Sequence, residues 1–233
     1  MRFGEDKDSF EFGKLNYLDS LYQANLSPEF LALADKARAE SRTLNKEGIS
    51  VSLSEAYVIS EQVKQSGSTA FMELGSLTGY SALFLLRGLQ TGGTLYCFEK
   101  DDHCADFIEF LFKNIAGVPE LAGKKVVVLR GDARLALESW SVPQAIGGAF
   151  IDANKSAYPD YLKWIEANLK GSYLILADNV FLSGSVWGLT DTPFSKKQAV
   201  GMIEFNKSLI QNPNYSSYFI GTSEGLLVAK RKA

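Results

Sequence analysis

From residue 69 to residue 229 short apolar runs alternate with helix-length segments, and this alternation restricts the folds open to the chain more than any other feature. The apolar runs cover 69–74, 94–98, 125–129, 146–151 and 173–177. Between them the spacing predicts helices over 80–90, 102–115, 133–140 and 158–169. Strands separated by helices need crossover connections, and so form a parallel sheet with helices on its faces. After the fifth run come a polar and aromatic loop over 181–195, a helix over 196–210, and two last runs at 218–220 and 226–229. Only Ser223-Glu224-Gly225 and its flanks join those two, too short for a crossover, so they are expected to pair as an antiparallel hairpin.

The first 65 residues read differently. Leu15, Leu18, Leu21 and Tyr22, then Phe30, Leu31, Leu33, Ala34 and Ala37, recur at helical spacing. Ser27-Pro28-Glu29 supplies a cap, a proline at the first helical position and an early acid. A third helix over 54–63 closes at Ser66-Gly67-Ser68. The expectation is one doubly wound α/β domain over 1–233, with a helical cap at 1–65 on an α/β core at 66–233. A hydrophobic content of 46% is enough to bury such a core.

The balance of 24 basic against 27 acidic residues gives a net charge of −3, which offers no case for a nucleic-acid partner. The start carries Glu5, Asp6, Asp8 and Glu11 without an apolar core, so it does not read as a secretory signal. No apolar run approaches the ~20 residues of a membrane span. Cys97 lies in an apolar run and Cys104 in a helix, which suits buried free thiols in a reducing, cytoplasmic setting. With one histidine, His103, neither a zinc cluster nor a Ser-His-Asp triad is expected.

Chemistry concentrates where the fourth and fifth strands end. Phe150-Ile151-Asp152-Ala153-Asn154-Lys155 and Ala177-Asp178-Asn179 each run from an apolar segment into oxygen-bearing side chains. In open α/β sheets ligands bind beyond the carboxyl ends of the strands. Adjacent strands ending this way would gather Asp152, Asp178 and Asn179, and hard divalent cations prefer such oxygens. Either aspartate could instead be a turn or helix cap.

The first strand ends in Glu73-Leu74-Gly75-Ser76-Leu77-Thr78-Gly79-Tyr80-Ser81, two glycines at a strand-to-helix turn. Glycine there lets backbone approach a ligand. The spacing is not the G-x-G-x-x-G that cradles a pyrophosphate. Glu99, after the second strand, is placed to accept ribose hydroxyls. This inventory suits a nucleoside without pyrophosphate, such as S-adenosylmethionine, better than NAD.

Glu73 to Ser81, Gly131-Asp132-Ala133, Asp152 to Tyr161 and Ala177 to Val186 together resemble class I S-adenosylmethionine-dependent O-methyltransferases. The narrower likeness is to the metal-dependent group that includes catechol and caffeoyl-coenzyme A O-methyltransferases and small bacterial relatives. The resemblance implies a seven-stranded sheet in the order 3-2-1-4-5-7-6 with strand 7 antiparallel. It implies that Glu73, Gly75 and Val51 lie beside the methionine part of the cofactor, Ser81 near its carboxylate and Glu99 on the ribose. Asp132 and Ala133 would flank the adenine. Asp152, Asp178 and Asn179 match the metal ligands, for magnesium or else manganese or calcium, with Asp152 also touching cofactor. Lys155 matches the catalytic lysine, a base if the metal and burial depress its pKa. The acceptor would be a small aromatic with adjacent hydroxyls, and relatives are usually homodimers. Here Leu18, Leu21, Tyr22 and Phe30 could form the shared face. Asn154, the segment Ser52 to Ala56, and Met202 depart from the pattern. Tyr158 and Tyr161 read as packing, while Phe181, Trp187 and Phe194 could wall a planar acceptor. A metal-independent methyltransferase and a nicotinamide-dependent oxidoreductase are the alternatives.

Overall fold

The computed structural model describes residues 7–46, 49–142 and 145–232, with side chains from residue 13 onward. The acidic start at residues 1–6 lies outside them. Seven strands form one sheet: β1 (Ala70–Leu74), β2 (Thr94–Glu99), β3 (Lys125–Arg130), β4 (Gly148–Ile151), β5 (Leu174–Ala177), β6 (Tyr215–Ile220) and β7 (Leu226–Arg231). Their order is β3-β2-β1-β4-β5-β7-β6. The first five run parallel, and β7 is antiparallel to both β5 and β6. The expected sheet is therefore present, with strand limits differing from the periodicity by a few residues.

The helices are α1 (Lys7–Gln23), α2 (Pro28–Thr43), α3 (Leu53–Ser66), α4 (Tyr80–Gly88), α5 (Asp102–Phe112), α6 (Ala133–Ser139), α7 (Tyr158–Asn168) and α8 (Lys196–Ile210). One apolar layer joins α2, α3 and α4 to one sheet face through Phe30, Ile59, Phe84 and Phe150. The other joins α6, α7 and α8 to the opposite face through Leu137, Ile165, Phe205 and Leu227. β1 and β4 are buried along their whole length, as central parallel strands must be when both faces are covered.

The start of α2 is fixed by Ser27, whose hydroxyl caps the Phe30 N–H at 3.2 Å. The same residue gives its N–H and O–H to Glu120, each at 2.7 Å, tying the helical cap to the turn before β3. Phe30 is fully buried against Phe84, ring centroids 5.0 Å apart, so it belongs to the core and not to an exposed face. Met202 is likewise buried. The loop after β5 is more ordered than its sequence suggests. Leu182–Trp187 coils into 3-10 turns, and Ser183 donates its N–H and O–H to Glu224 in the β6–β7 turn at 2.7 and 3.0 Å. None of the helices among the described residues is long and apolar enough to cross a membrane.

Candidate active site

The carboxyl ends of β1, β2, β3 and β4 open onto a cavity of about 600 Å³. Its wall includes Val51, Gly75, Ser81, Glu99, Asp132 and Ala133 together with Asp152 and Lys155. The volume lies within the range of small-molecule and cofactor sites, ~300–1,000 Å³.

β1 turns into α4 through Gly75, at φ +88°, and Gly79, at φ +81°. A side chain at Gly75 would meet the carbonyl oxygen of Asp152, so the turn packs directly against the end of β4. Glu99 fastens the same turn to β2. Its Oε2 accepts the N–H groups of Ser76 (3.2 Å) and Leu77 (2.7 Å), and its Oε1 accepts that of Asp101 (2.9 Å). A carboxylate has about four acceptor positions, so capacity remains toward the cavity.

Glu73 stands behind this wall, not on it. It is fully buried, and burial lifts its carboxyl to about 7. Ser81 Oγ donates to Glu73 Oε1 at 2.5 Å, while Cys97 Sγ approaches Oε2 at 3.6 Å. When Glu73 is protonated the direction between it and Ser81 can reverse, and the Ser81 proton then faces the cavity. Asp132 caps α6 through the Arg134 N–H at 2.9 Å. Val51 is held by Arg38, whose Nη2 donates to its carbonyl at 3.4 Å.

Beside the glycine turn the register of β4 and β5 pairs Ile151 with Ala177, so the next residues, Asp152 and Asp178, leave the sheet side by side. The Asp178 N–H donates to the Ile151 carbonyl at 3.0 Å. Lys155 donates from Nζ to Asp152 Oδ1 at 2.6 Å and to the Tyr158 hydroxyl at 3.0 Å. Tyr158, fully buried, in turn lies 3.0 Å from the Ile151 carbonyl and 2.9 Å from the Asp178 carbonyl, its single O–H shared between these two acceptors. Tyr158 thus joins both strand ends to the lysine, a role that reading it as packing alone missed. Its spacing of three from Lys155 was the available signal. Tyr161 also goes beyond packing, since it lines the cavity.

Burial works against a charge on Lys155, but Asp152 and Tyr158 outweigh it and hold the ammonium pKa above its ordinary value. In this arrangement Lys155 is therefore a cation and a donor. Asp178 is 4% exposed, and burial, then Asp152 and Glu55, push its carboxyl well above the usual range, opposed by Lys155. Asn179 follows in the left-handed region at φ +56°, a conformation asparagine tolerates. Asp178 and Asn179 are not on the wall of the main cavity. Among the described residues no three His, Cys, Asp or Glu side chains form a cluster that could hold a metal. The expected ligand set differs from such a cluster in having two carboxylates and an amide. All three donors are hard oxygens, and a buried carboxyl held neutral beside another is relieved by a cation, so their chemistry fits a divalent ion.

Of the remaining sequence candidates, His103 is exposed and 2.6 Å from Glu40. Asn154 caps the turn before α7 through the Ser156 N–H at 3.1 Å. Phe181 packs edge-on to Trp187, centroids 5.7 Å apart, and Trp187 is 61% exposed. Cys97 and Cys104 are buried free thiols.

Residues 24–232 match the O-methyltransferase family. A catechol O-methyltransferase of Niastella koreensis is 31% identical over 145 residues, 60% of this chain and 61% of that one. Tricin synthase 1 of Oryza sativa subsp. japonica is 26% identical over 194 residues, 77% of this chain and 73% of that one. The crystal structure of an O-methyltransferase from Bacillus cereus in complex with SAH superposes with a TM-score of 0.74 at 24% identity, covering 86% of this chain and 91% of that one. A nicotinamide oxidoreductase has no support beside these matches. With the family match extending over the whole sheet and every helix from α2 to α8, the chain belongs to the O-methyltransferase family.

Proposed function

We propose that the protein transfers a methyl group from S-adenosylmethionine to one hydroxyl of a small vicinal diphenol, with a divalent cation held by Asp152, Asp178 and Asn179. The observation that carries this reading is the main cavity itself. Ribose- and backbone-type partners, Glu99 and the Gly75 turn, line it together with Asp152 and Lys155. S-adenosylmethionine supplies the methyl group and its sulfonium leaving group. A divalent cation, magnesium or else manganese or calcium, supplies chelation of two adjacent phenolic oxygens and a lowered pKa for one of them.

The chain's own residues do the rest. Glu99 accepts ribose hydroxyls while clasping the glycine turn, and Asp132 and Ala133 border the base. Val51, Gly75 and Ser81 border the methionine portion, with Glu73 acting through Ser81. Lys155 lies between Asp152 and Tyr158, so its Nζ–H is aimed by two fixed acceptors. As the ammonium it donates to the reacting oxygen; to act as base it would first release one proton to solvent, once the Asp152 charge is engaged elsewhere, and then accept the proton of that oxygen. The rate gain rests mainly on positioning. Phe181 and Trp187 give the acceptor an aromatic wall. The protein works in a reducing compartment, where Cys97 and Cys104 stay thiols, and as a homodimer through α1.

Incubation with S-adenosylmethionine and catechol, with product read by mass spectrometry, tests the reading. A monomethylated catechol is expected. Absence of product with catechol and with its ring-substituted analogues contradicts it. A metal-independent methyltransferase is the second reading, favoured by the Lys155 ammonium already paired with Asp152 at 2.6 Å.

A further inference from the structure

Beside the main cavity lies a smaller one of about 260 Å³. Arg38, Arg42, Ser52, Glu55 and Ser223 line it, and it shares Val51 with the main cavity. Arg38 and Arg42 stand one turn apart on α2, so both reach the same side of the helix. The Arg38 guanidinium is fixed in place: it lies 4.2 Å over the Tyr80 ring, and its Nη2 donates to the Tyr80 hydroxyl at 2.7 Å and to the Val51 carbonyl at 3.4 Å. Neither arginine pairs with a carboxylate among the described residues. The one acid on this wall, Glu55, is occupied as the cap of α3, with Oε2 accepting from the Ser52 N–H at 3.0 Å and from its Oγ at 2.9 Å. Two guanidinium groups against one committed carboxylate leave the cavity with surplus positive charge and the hydroxyl of Ser223.

Its position matters as much as its charge. Ser223 belongs to the β6–β7 turn, whose Gly225 and Glu224 carbonyls accept the N–H groups of Val180 and Phe181 at 3.2 and 2.9 Å, so the small cavity lies beside the segment that leaves β5, and Ser50 and Val51 border both cavities. An acceptor that reaches across Val51 into the main cavity from this side keeps its far end against α2.

We propose that this cavity recognises an acidic group, a carboxylate or phosphate, on the methyl acceptor, so that the preferred substrates are acidic diphenols rather than neutral catechols. Planar guanidinium forks match carboxylate and phosphate oxygens in a way that single ammonium groups do not. Arg38 links the two sites, because the guanidinium that meets the acid also holds Val51 on the cofactor side. The proposal rests on the reading of the main cavity as a methyl-transfer site, which methylation of catechol tests separately since catechol carries no acid.

Calorimetry with SAH-loaded protein compares 3,4-dihydroxycinnamate, its methyl ester and its phosphonate analogue, each with wild type, Arg42→Ala and Arg38→Lys. Wild type is expected to bind the acid roughly ten- to hundredfold more tightly than the ester, the range of a charge-assisted hydrogen bond. Arg42→Ala loses that preference and keeps its affinity for the ester and for SAH. Arg38→Lys keeps the charge but narrows the preference, because the fork is lost. Tighter binding of the phosphonate than of the cinnamate assigns the site to phosphate, and the reverse assigns it to carboxylate. Equal affinity for acid and ester in wild type, no binding of either, or a parallel loss of both in Arg42→Ala overturns the subsite. Weaker SAH binding in Arg42→Ala also overturns it, by assigning the arginine to the cofactor.

Discussion

Tyr158 ties together the three parts of the site that must keep their spacing. Its hydroxyl meets Lys155 Nζ, the Ile151 carbonyl and the Asp178 carbonyl within 3.0 Å, while its ring packs edge-on to Phe205 with centroids 5.2 Å apart. Tyr158→Phe keeps the ring and removes the hydroxyl. It is expected to cost ~1–3 kcal/mol, the penalty for unsatisfied buried partners, and to lower turnover while the protein stays folded. Thermal unfolding together with kcat checks this, and unchanged turnover counts against the role. Lys155→Met is expected to lower kcat by ~10²–10⁴-fold with SAH affinity unchanged. A loss below about tenfold leaves Lys155 as an orienting group only. Glu73 gives a pH signature. Burial raises its carboxyl from 4.5 to about 7, so the folded protein holds this proton more tightly than the unfolded chain. Its contribution to stability is full below pH 4.5 and is lost as pH rises through 7. Glu73→Gln therefore flattens the fall in unfolding temperature across that window, and identical pH profiles for the two proteins contradict the assignment.

Strand ends and helix starts carry most of the site. Gly75 combines φ +88° with backbone contact to Asp152, so Gly75→Ala forces the β1–α4 turn away from β4. Loss of SAH binding by calorimetry is the expected result. At the start of α3, Ser52 and Glu55 form a reciprocal capping box. Ser52→Ala is expected to cost about 1 kcal/mol. That corresponds to a fall of about 2–4 °C in unfolding temperature for a chain of this size. These elements were legible in the sequence because their signals are local. Alternating apolar runs gave the parallel sheet, the short Ser223-Glu224-Gly225 link gave the hairpin, and Asp152 and Asp178 were paired by following adjacent strands to their ends. What was not legible is set by distant partners. The 3-10 turns after β5 depend on Glu224, 41 residues beyond Ser183. The seat of Arg38 depends on Tyr80, 42 residues away. The charge of Lys155 depends on how Asp152 and Tyr158 surround it in space, which a motif spacing does not record. Phe30 carries the same kind of helical periodicity as Leu15 and Leu21, which are exposed, and packing against Phe84 assigns it to the core.

At the scale of the whole molecule, the helical cap and the sheet act together. Ser27 and Glu120 tie them on one side, and Val51, Arg38 and Tyr80 connect α2 to the cavity wall on the other. Of the residues expected to form a shared face, Phe30 is buried, Tyr22 stacks on Tyr57 with ring centroids 4.4 Å apart, and Leu21 is exposed, one turn from the exposed Tyr17. Leu18, Leu21 and Tyr22 remain the proposed self-complementary contact, without Phe30. Light scattering at tens of micromolar is expected to give a dimer, and a monomer would refute that assembly. The most direct test of the whole account is the rate of methyl transfer from S-adenosylmethionine to catechol by chelator-treated protein, before and after magnesium is restored. The account predicts negligible transfer in chelator and recovery with magnesium in wild type, with no recovery in Asp178→Ala although SAH still binds. Full activity in chelator would contradict it.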